Sequence, residues 1–397
     1  MRRSGGAVLL IHPDFLLQQE YPIPGDPIMK KQFNTIQVLR AIAASMVVLH
    51  HFTIAYCGNR NAYSFFSASG LGELGQSGVD VFFVISGFIM FYTQFPKSEA
   101  TRSLKDRKDA ALLFLKKRVI RIYPLYWFWT TALVVLWKAG LIFQGQSLSP
   151  MYTFMSYLLF PWRGADGHVH SFLDQGWTLS FEMYFYLCFS LIFFLDNNRT
   201  RNLIYLLGLL AVNCFAARQL HASQNVTYLT NNSLIMEFVY GAIIGTIVSY
   251  AKNIKSVTLF RLAFYLGWIL LLATVFIHVD DDSRFLLYGI PASLIVLSAA
   301  MIDKFSDSRP PRSLVFLGDA SYSIYLAHGI FCLSFGHLIK NGHFMNINGD
   351  LLIFVGVVAT IWVSSLFYPL LEKPMLSAIN GKKQTPKVKE KPTVEQA

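Results

Sequence analysis

The stretch Ile36-QVLRAIAASMVVLHHFTIA-Tyr56 decides how this chain folds. As a helix rising 1.5 Å per residue it spans a hydrocarbon slab of about 30 Å, yet it carries Arg40 and His51. Eleven steps at about 100° make roughly three turns plus 20°, so both side chains share one helix face, roughly 16 Å apart along the axis. A cation and an imidazole at membrane depth are costly, and such residues face a bundle interior, a cavity or a pathway. Taken alone, the helix also allows a plainer arrangement, with Arg40 snorkelling to the headgroups and His51 near the opposite interface.

Composition makes the same argument for the whole chain. Its 397 residues are 54% hydrophobic and only 14% charged, with mean hydropathy +0.43. A soluble domain carries about 25% charged residues, so this is a polytopic membrane protein. The net charge of +11 does not point to nucleic acid, because the basic residues sit in short segments between apolar runs, as topology and anionic headgroups require. Cys57, Cys188, Cys214 and Cys332 are scattered without metal-ligand spacing and are expected to be packing residues. No cleavable signal peptide is expected, since the first apolar run begins behind a polar, Pro-containing lead.

Ten apolar stretches are long enough to span: 36–56, 78–95, 119–142, 177–195, 203–219, 233–250, 259–278, 284–302, 314–338 and 351–371. Every second connection is basic: Lys30 and Lys31, then Arg102 to Lys117, Arg199 and Arg201, Lys252 and Lys255, Lys304 to Arg312, and Lys373, Lys382 and Lys383. The intervening connections carry little beyond Arg60, Arg163, Arg218, Arg284 and Lys340. The positive-inside rule then puts both termini in the cytoplasm. The expected fold is all-α, a bundle of about ten transmembrane helices over residues 33–375, with cytoplasmic segments 1–32 and 376–397. The longest outer connection, 143–176, holds Asp166, His168, His170 and Asp174, read as an interfacial loop rather than a metal site. Asp280 to Asp282 read as a solvated turn.

Four further segments carry chemistry. In GVDVFFVISG (Gly78–Gly87), Asp80 can complement the helix N-terminus, Ser86 can bond its own backbone and Gly87 permits close helix approach. In RVIRIYP (Arg118–Pro124), two arginines at i, i+3 can clamp a phosphate or pyrophosphate, or simply anchor the start of the third span. In WTLSFEMYFY (Trp177–Tyr186), Glu182 lies inside an aromatic span, where a carboxylate needs a partner or a proton. It can orient His51, act as a general acid/base, or pair with an arginine. In GDASYSIYLAH (Gly318–His328), Tyr322, Tyr325 and His328 form one polar stripe.

Together these segments resemble the acyltransferase-3 family of integral-membrane acyltransferases, in particular the ExoZ/OafA-like O-acetyltransferases of bacterial surface polysaccharides. The R-x10-H signature falls at Arg40 and His51, and G-x-x-G-V-D-x-F-F-V-x-S-G-F at Gly75 to Phe88. The R-x-x-R-I-x-P, W-x-L-x-x-E-x-x-F-Y and G-x-x-S-Y-x-x-Y-L-x-H runs fall on the other three segments, and the resemblance covers about 34–375. It implies transfer of an acyl group, usually acetyl, from cytoplasmic acyl-CoA to a glycan or lipid-linked glycan hydroxyl at the bacterial inner membrane, alongside polysaccharide-biosynthesis proteins and with no metal. Under that resemblance His51, Arg40, Glu182 and Asp80 are the expected catalytic residues, and Arg118, Arg121, Ser86, Tyr322, Tyr325 and His328 the expected acetyl-CoA-binding residues. Some members add an extracytoplasmic hydrolase-like domain; here transfer is expected to finish within the membrane domain or pass to a separate protein. The alternative from another class is a flippase for a lipid-linked glycan or acyl carrier, which also uses intramembrane Arg, His and Glu.

Overall fold

The computed structural model describes residues 33–95, 103–142, 149–164, 167, 169–195 and 198–380. Residues 1–32, the tail after Asn380, and Arg102, Asp166 and His168 lie outside the described residues. Ten helices follow the ten apolar stretches: α1 (Asn34–Arg60), α2 (Ser77–Gln94), α3 (Leu104–Lys138), α4 (Gly176–Ile192) and α5 (Arg199–Gln219). The second half holds α6 (Ile235–Tyr250), α7 (Thr258–Ala273), α8 (Gly289–Phe305), α9 (Ser321–Lys340) and α10 (Gly349–Phe367). Nine helical stretches among the described residues are long and apolar enough to cross a membrane. The tenth, α4, has 17 residues and is almost wholly apolar or aromatic.

The first span is the hub. α1 packs against α2, α8, α9, α10 and the short helix Arg312–Asp319. Its Ile36, Leu39, Ala43, Ala44, Val47, Val48 and Phe52 are therefore all buried, as expected of a helix apolar all round. Around it, α2, α3, α4 and α6 enclose a phenylalanine core, in which Phe238 stacks on Phe83 at 4.6 Å and on Phe185 at 4.5 Å. Lipid-facing positions such as Leu259, Leu262 and Ile269 on α7 remain exposed and apolar.

Helices meet without a hydrophobic driving force inside a bilayer, so small residues decide how close they come. A Cβ at Gly78 would lie 2.3 Å from the Ala43 carbonyl oxygen of α1. At Gly87 it would lie 2.1 Å from Phe238 O, and at Gly241 2.1 Å from Val84 O. α2 and α6 thus lock face to face through reciprocal glycines.

Three elements depart from the sequence reading. α3 does not begin near Arg118. A capping box between Ser103 and Asp106 starts it at Leu104, and its 35 residues reach roughly 52 Å at 1.5 Å per residue, longer than the bilayer core. Arg118 and Arg121 therefore sit mid-helix. The stretch 314–338 is broken at Ala320 into Arg312–Asp319 and α9, with Gly318 pressed against the Gln37 backbone of α1. The connection after α3 contains a helix (Pro150–Tyr157) and two paired two-residue strands, β1 (Trp162–Arg163) and β2 (Val169–His170). Asp280 accepts from the Ser283 amide at 2.7 Å in an exposed turn, as expected.

Gly241→Ala is expected to destabilise the protein by about 3 kcal/mol through backbone overpacking. Gly208→Ala, where nothing lies within 4 Å, should be neutral or slightly stabilising. Thermal unfolding of both variants in detergent checks this, and equal midpoints would refute the reciprocal-glycine lock.

Candidate active site

A cavity of about 260 Å³ opens between α1, α2, α3, α4 and α9, at the end of the bundle where α1 begins. Arg40, Ser86, Arg118, Arg121, Glu182, Tyr186, Tyr322 and Tyr325 all line it. The Arg118 guanidinium lies over the rings of Phe114 (5.2 Å) and Tyr186 (5.6 Å). Arg121, one turn on, is ion-paired with Glu372 and lies 5.1 Å over Tyr322. A turn of π-helix after α10, Tyr368–Glu372, carries Glu372 inward, where it also accepts from Ser323 Oγ at 2.6 Å. Tyr186 OH donates to Glu182 Oε2 (3.1 Å) and lies 3.3 Å from Ser86 Oγ. Arg40 donates to Gln37 Oε1 at 3.2 Å.

Charge distinguishes these arginines. Among the described residues neither Arg40 nor Arg118 forms an ion pair, whereas Arg121 does. Two unpaired guanidiniums in a membrane cavity are expensive without an anionic partner.

A second cavity of about 140 Å³ lies beyond the first. His50, His51, Gln76, Gln175, Trp177 and Arg284 line it, and Val79 and Tyr325 face both chambers. Carbonyl contacts fix the tautomers here. His51 Nδ1 is 2.8 Å from Val47 O, and His328 Nδ1 is 2.6 Å from Tyr325 O. A carbonyl only accepts, so both Nδ1 atoms carry hydrogen and both neutral rings present Nε2 as a base. His328 Nε2 then accepts from the Gln175 amide nitrogen at 3.2 Å. This leaves Gln175 Oε1 buried with no hydrogen-bond partner among the described residues. The rings of His50 and His328 flank His51 at 5.2 and 4.9 Å.

Behind this chamber, Arg284 forks onto Asp80, Nε to Oδ1 at 2.9 Å and Nη2 to Oδ2 at 2.6 Å. Its side chain is 9% exposed and that of Asp80 0%, so this is a buried, bidentate pair. Gln76 accepts two further bonds from Arg284, through Oε1 and its backbone oxygen, each at 3.1 Å. Glu237 is fully buried, its carboxyl directly beside that of Asp80.

The structure therefore divides the expected site residues. Arg40 and His51 line different chambers, and so do Glu182 and His51. Glu182 does not orient His51; its company is Tyr186 and the arginines, while Val47 O sets the His51 tautomer. Asp80 neither caps α2 nor faces a chamber with a spare oxygen, because Arg284 occupies both. Ser86, Arg118, Arg121, Tyr322 and Tyr325 do share one cavity, but His328 lies apart from it beside His51. Tyr322 and Tyr325 are also committed, Tyr322 OH to Ile122 O and Tyr325 OH to Thr178 Oγ1, each at 2.7 Å. The sequence reading missed Gln76, Gln175, Glu237 and Glu372. It placed Arg284 in an outer loop, although an arginine opening an apolar span is itself a signal. His170 bonds Tyr152 OH at 2.7 Å; among the described residues no group of three His, Cys, Asp or Glu is placed to hold a metal.

Nine helices long and apolar enough to cross a membrane among the described residues, packed around two chambers lined by polar and ionisable side chains, define a multi-pass membrane protein. Residues 33–369 match the acyltransferase domain of the acyltransferase-3 family. The chain belongs to that family, whose enzymes transfer acyl groups. It is 31% identical over 306 residues to the exopolysaccharide production protein ExoZ of Rhizobium meliloti, covering 76% of this chain and 90% of that one. It is 25% identical over 320 residues to the O-acetyltransferase OatA of Staphylococcus aureus, covering 73% of this chain and 49% of that one. No solved structure matches.

Removing one partner of the buried pair should be far worse than removing both. Arg284→Gln, which leaves Asp80 and Glu237 without a cation, is expected to cost about 3–5 kcal/mol. Asp80→Asn/Arg284→Gln should regain most of that loss. A double-mutant cycle of thermal midpoints measures it; additive losses would mean the two residues act independently.

Proposed function

We propose that this protein is an acetyl-CoA-dependent O-acetyltransferase of the bacterial inner membrane, which esterifies a hydroxyl of a cell-surface or exported polysaccharide. The observation that carries the proposal is the pair of adjoining chambers. One is lined by three guanidiniums, of which only Arg121 forms a direct ion pair among the described residues, and the other by an imidazole whose Nε2 is free of the Val47 carbonyl, with Tyr325 and Val79 common to both. Basic loops at the α1-start end support a cytoplasmic face there, with both termini on it.

In this reading the phosphates of acetyl-CoA lie on Arg118 and Arg40, with Arg121 held by Glu372 as a second, partly neutralised contact. The pantetheine arm runs inward past Ser86 and Tyr186 and brings the thioester to the wall at Tyr325. On the far side the acceptor hydroxyl donates towards Gln175 Oε1 and then gives its proton to His51 Nε2. The hydroxyl oxygen attacks the thioester carbonyl, the C–S bond breaks, and His51 returns the proton to the leaving thiolate. Glu182 serves the donor chamber by orienting Tyr186 and balancing charge. His328 supports Gln175, and Asp80 supports Arg284; neither transfers a proton. The names of the relatives, exopolysaccharide production and O-acetyltransferase, agree with a glycan hydroxyl as acceptor.

His51→Ala should abolish acetyl esters on the surface glycan while the protein stays in the membrane; esters at the parental level would sink the proposal. The two arginines of α3 should separate. Arg118→Ala should raise the acetyl-CoA KM by about tenfold or more, the loss of a charge-assisted contact worth about 1.5–3 kcal/mol. Arg121→Ala should act mainly on stability. Steady-state release of free CoA from detergent-purified protein measures both, and it also separates a transferase from a flippase, which consumes no thioester.

A further inference from the structure

Acyl transfer builds negative charge on the thioester carbonyl oxygen, and this charge needs a fixed hydrogen-bond donor near the base. Arg40, the arginine paired with His51 in sequence, lines the other chamber. The guanidinium that lines the His51 chamber is Arg284.

Its geometry suits the task. A guanidinium has five N–H donors. Four are engaged: Nε with Asp80 Oδ1, Nη2 with Asp80 Oδ2 and Gln76 O, and Nη1 with Gln76 Oε1. The fifth, on Nη1, has no acceptor among the described residues. The anchoring comes from α2 and the turn before it, the guanidinium lies over Tyr288 at 5.6 Å, and little rotational freedom remains. Such a group is preorganised, so it need not reorient when charge develops.

We infer that Arg284 is a catalytic residue of the outer chamber, its remaining Nη1–H donating to the oxyanion of the tetrahedral intermediate, with Asp80 and Gln76 as its positioning residues. The inference rests on the acyl-transfer reading of the two chambers. When His51 Nε2 takes the acceptor proton, the new C–O bond pushes the carbonyl π pair onto oxygen. Arg284 hydrogen-bonds that oxygen until the pair returns, the C–S bond breaks and thiolate takes the proton back from His51. Arg284 itself exchanges no proton. Asp80 offsets the charge of the guanidinium, so Arg284 acts through a held N–H rather than as a loose cation that would trap anions.

The test uses full-length protein in proteoliposomes, acetyl-CoA as donor, and an oligosaccharide cut from the producing strain's own exopolysaccharide and chemically deacetylated. Asp80→Asn/Arg284→Gln removes both charges of the fork together, so that neither is left without the other. It should insert, keep the acetyl-CoA KM within about threefold, and lose about 100-fold or more in kcat, the effect of deleting an oxyanion donor. Arg284→Lys keeps a cation against Asp80 but has no fork; it should show the same kcat loss and gives the answer if the double variant fails to insert. A kcat within threefold of the parent, or a loss confined to KM, overturns the assignment. A parent that releases no CoA with this acceptor sinks the functional reading itself, and this assignment with it, which is a distinct outcome.

Discussion

The buried fork between Arg284 and Asp80 is the interaction on which the interior depends. Charges in a bilayer have no water to return to, so each must find a partner within the bundle or make the bundle pay in strain. The fork ties the N-terminal turn of α2 to the short helix Arg284–Leu287 that leads into α8. α2 and α8 in turn pack on α1. One bidentate contact thereby fixes a wall of the His51 chamber and the position of the central span against it.

The second constraint is steric. Glycines at 78, 87 and 241 let α2 approach α1 and α6 to backbone contact. Tight seams and open cavities are complementary results of one packing problem. Where side chains are small the helices close, and Arg118, Tyr186 and Tyr322 line the cavity. Tyr325 lies at the junction, its hydroxyl held by Thr178 and its ring facing both chambers. It is placed between the cavity that holds the three arginines and the one that holds His51.

Much of this was legible in the chain. The run 36–56 announced a span with an arginine and an imidazole on one inward face, and each of them lines a chamber within the bundle. The spacing of Arg118 and Arg121 announced two guanidiniums in one place, and they line one cavity. The reading failed where a residue's meaning depends on a partner remote in sequence. Asp80 and Arg284 are separated by 204 positions, and Arg121 and Glu372 by 251. No local pattern distinguishes an arginine left without a counter-ion from one neutralised across the bundle, yet that difference separates Arg118 from Arg121.

The sequence by itself determined the all-helical membrane architecture, the family and the set of ionisable residues at depth. Apolar length, period and charge are local properties, and a bilayer permits few ways to satisfy a backbone. Only the tertiary structure decided how that set is distributed. Arg40 and His51, neighbours on one helix, line separate chambers. Glu182 keeps company with Tyr186 instead of His51, and Arg284 leaves the loops for the interior. The physical reason is that the pairing of buried charges and the closeness of helices are properties of facing surfaces, which exist only once the helices have packed.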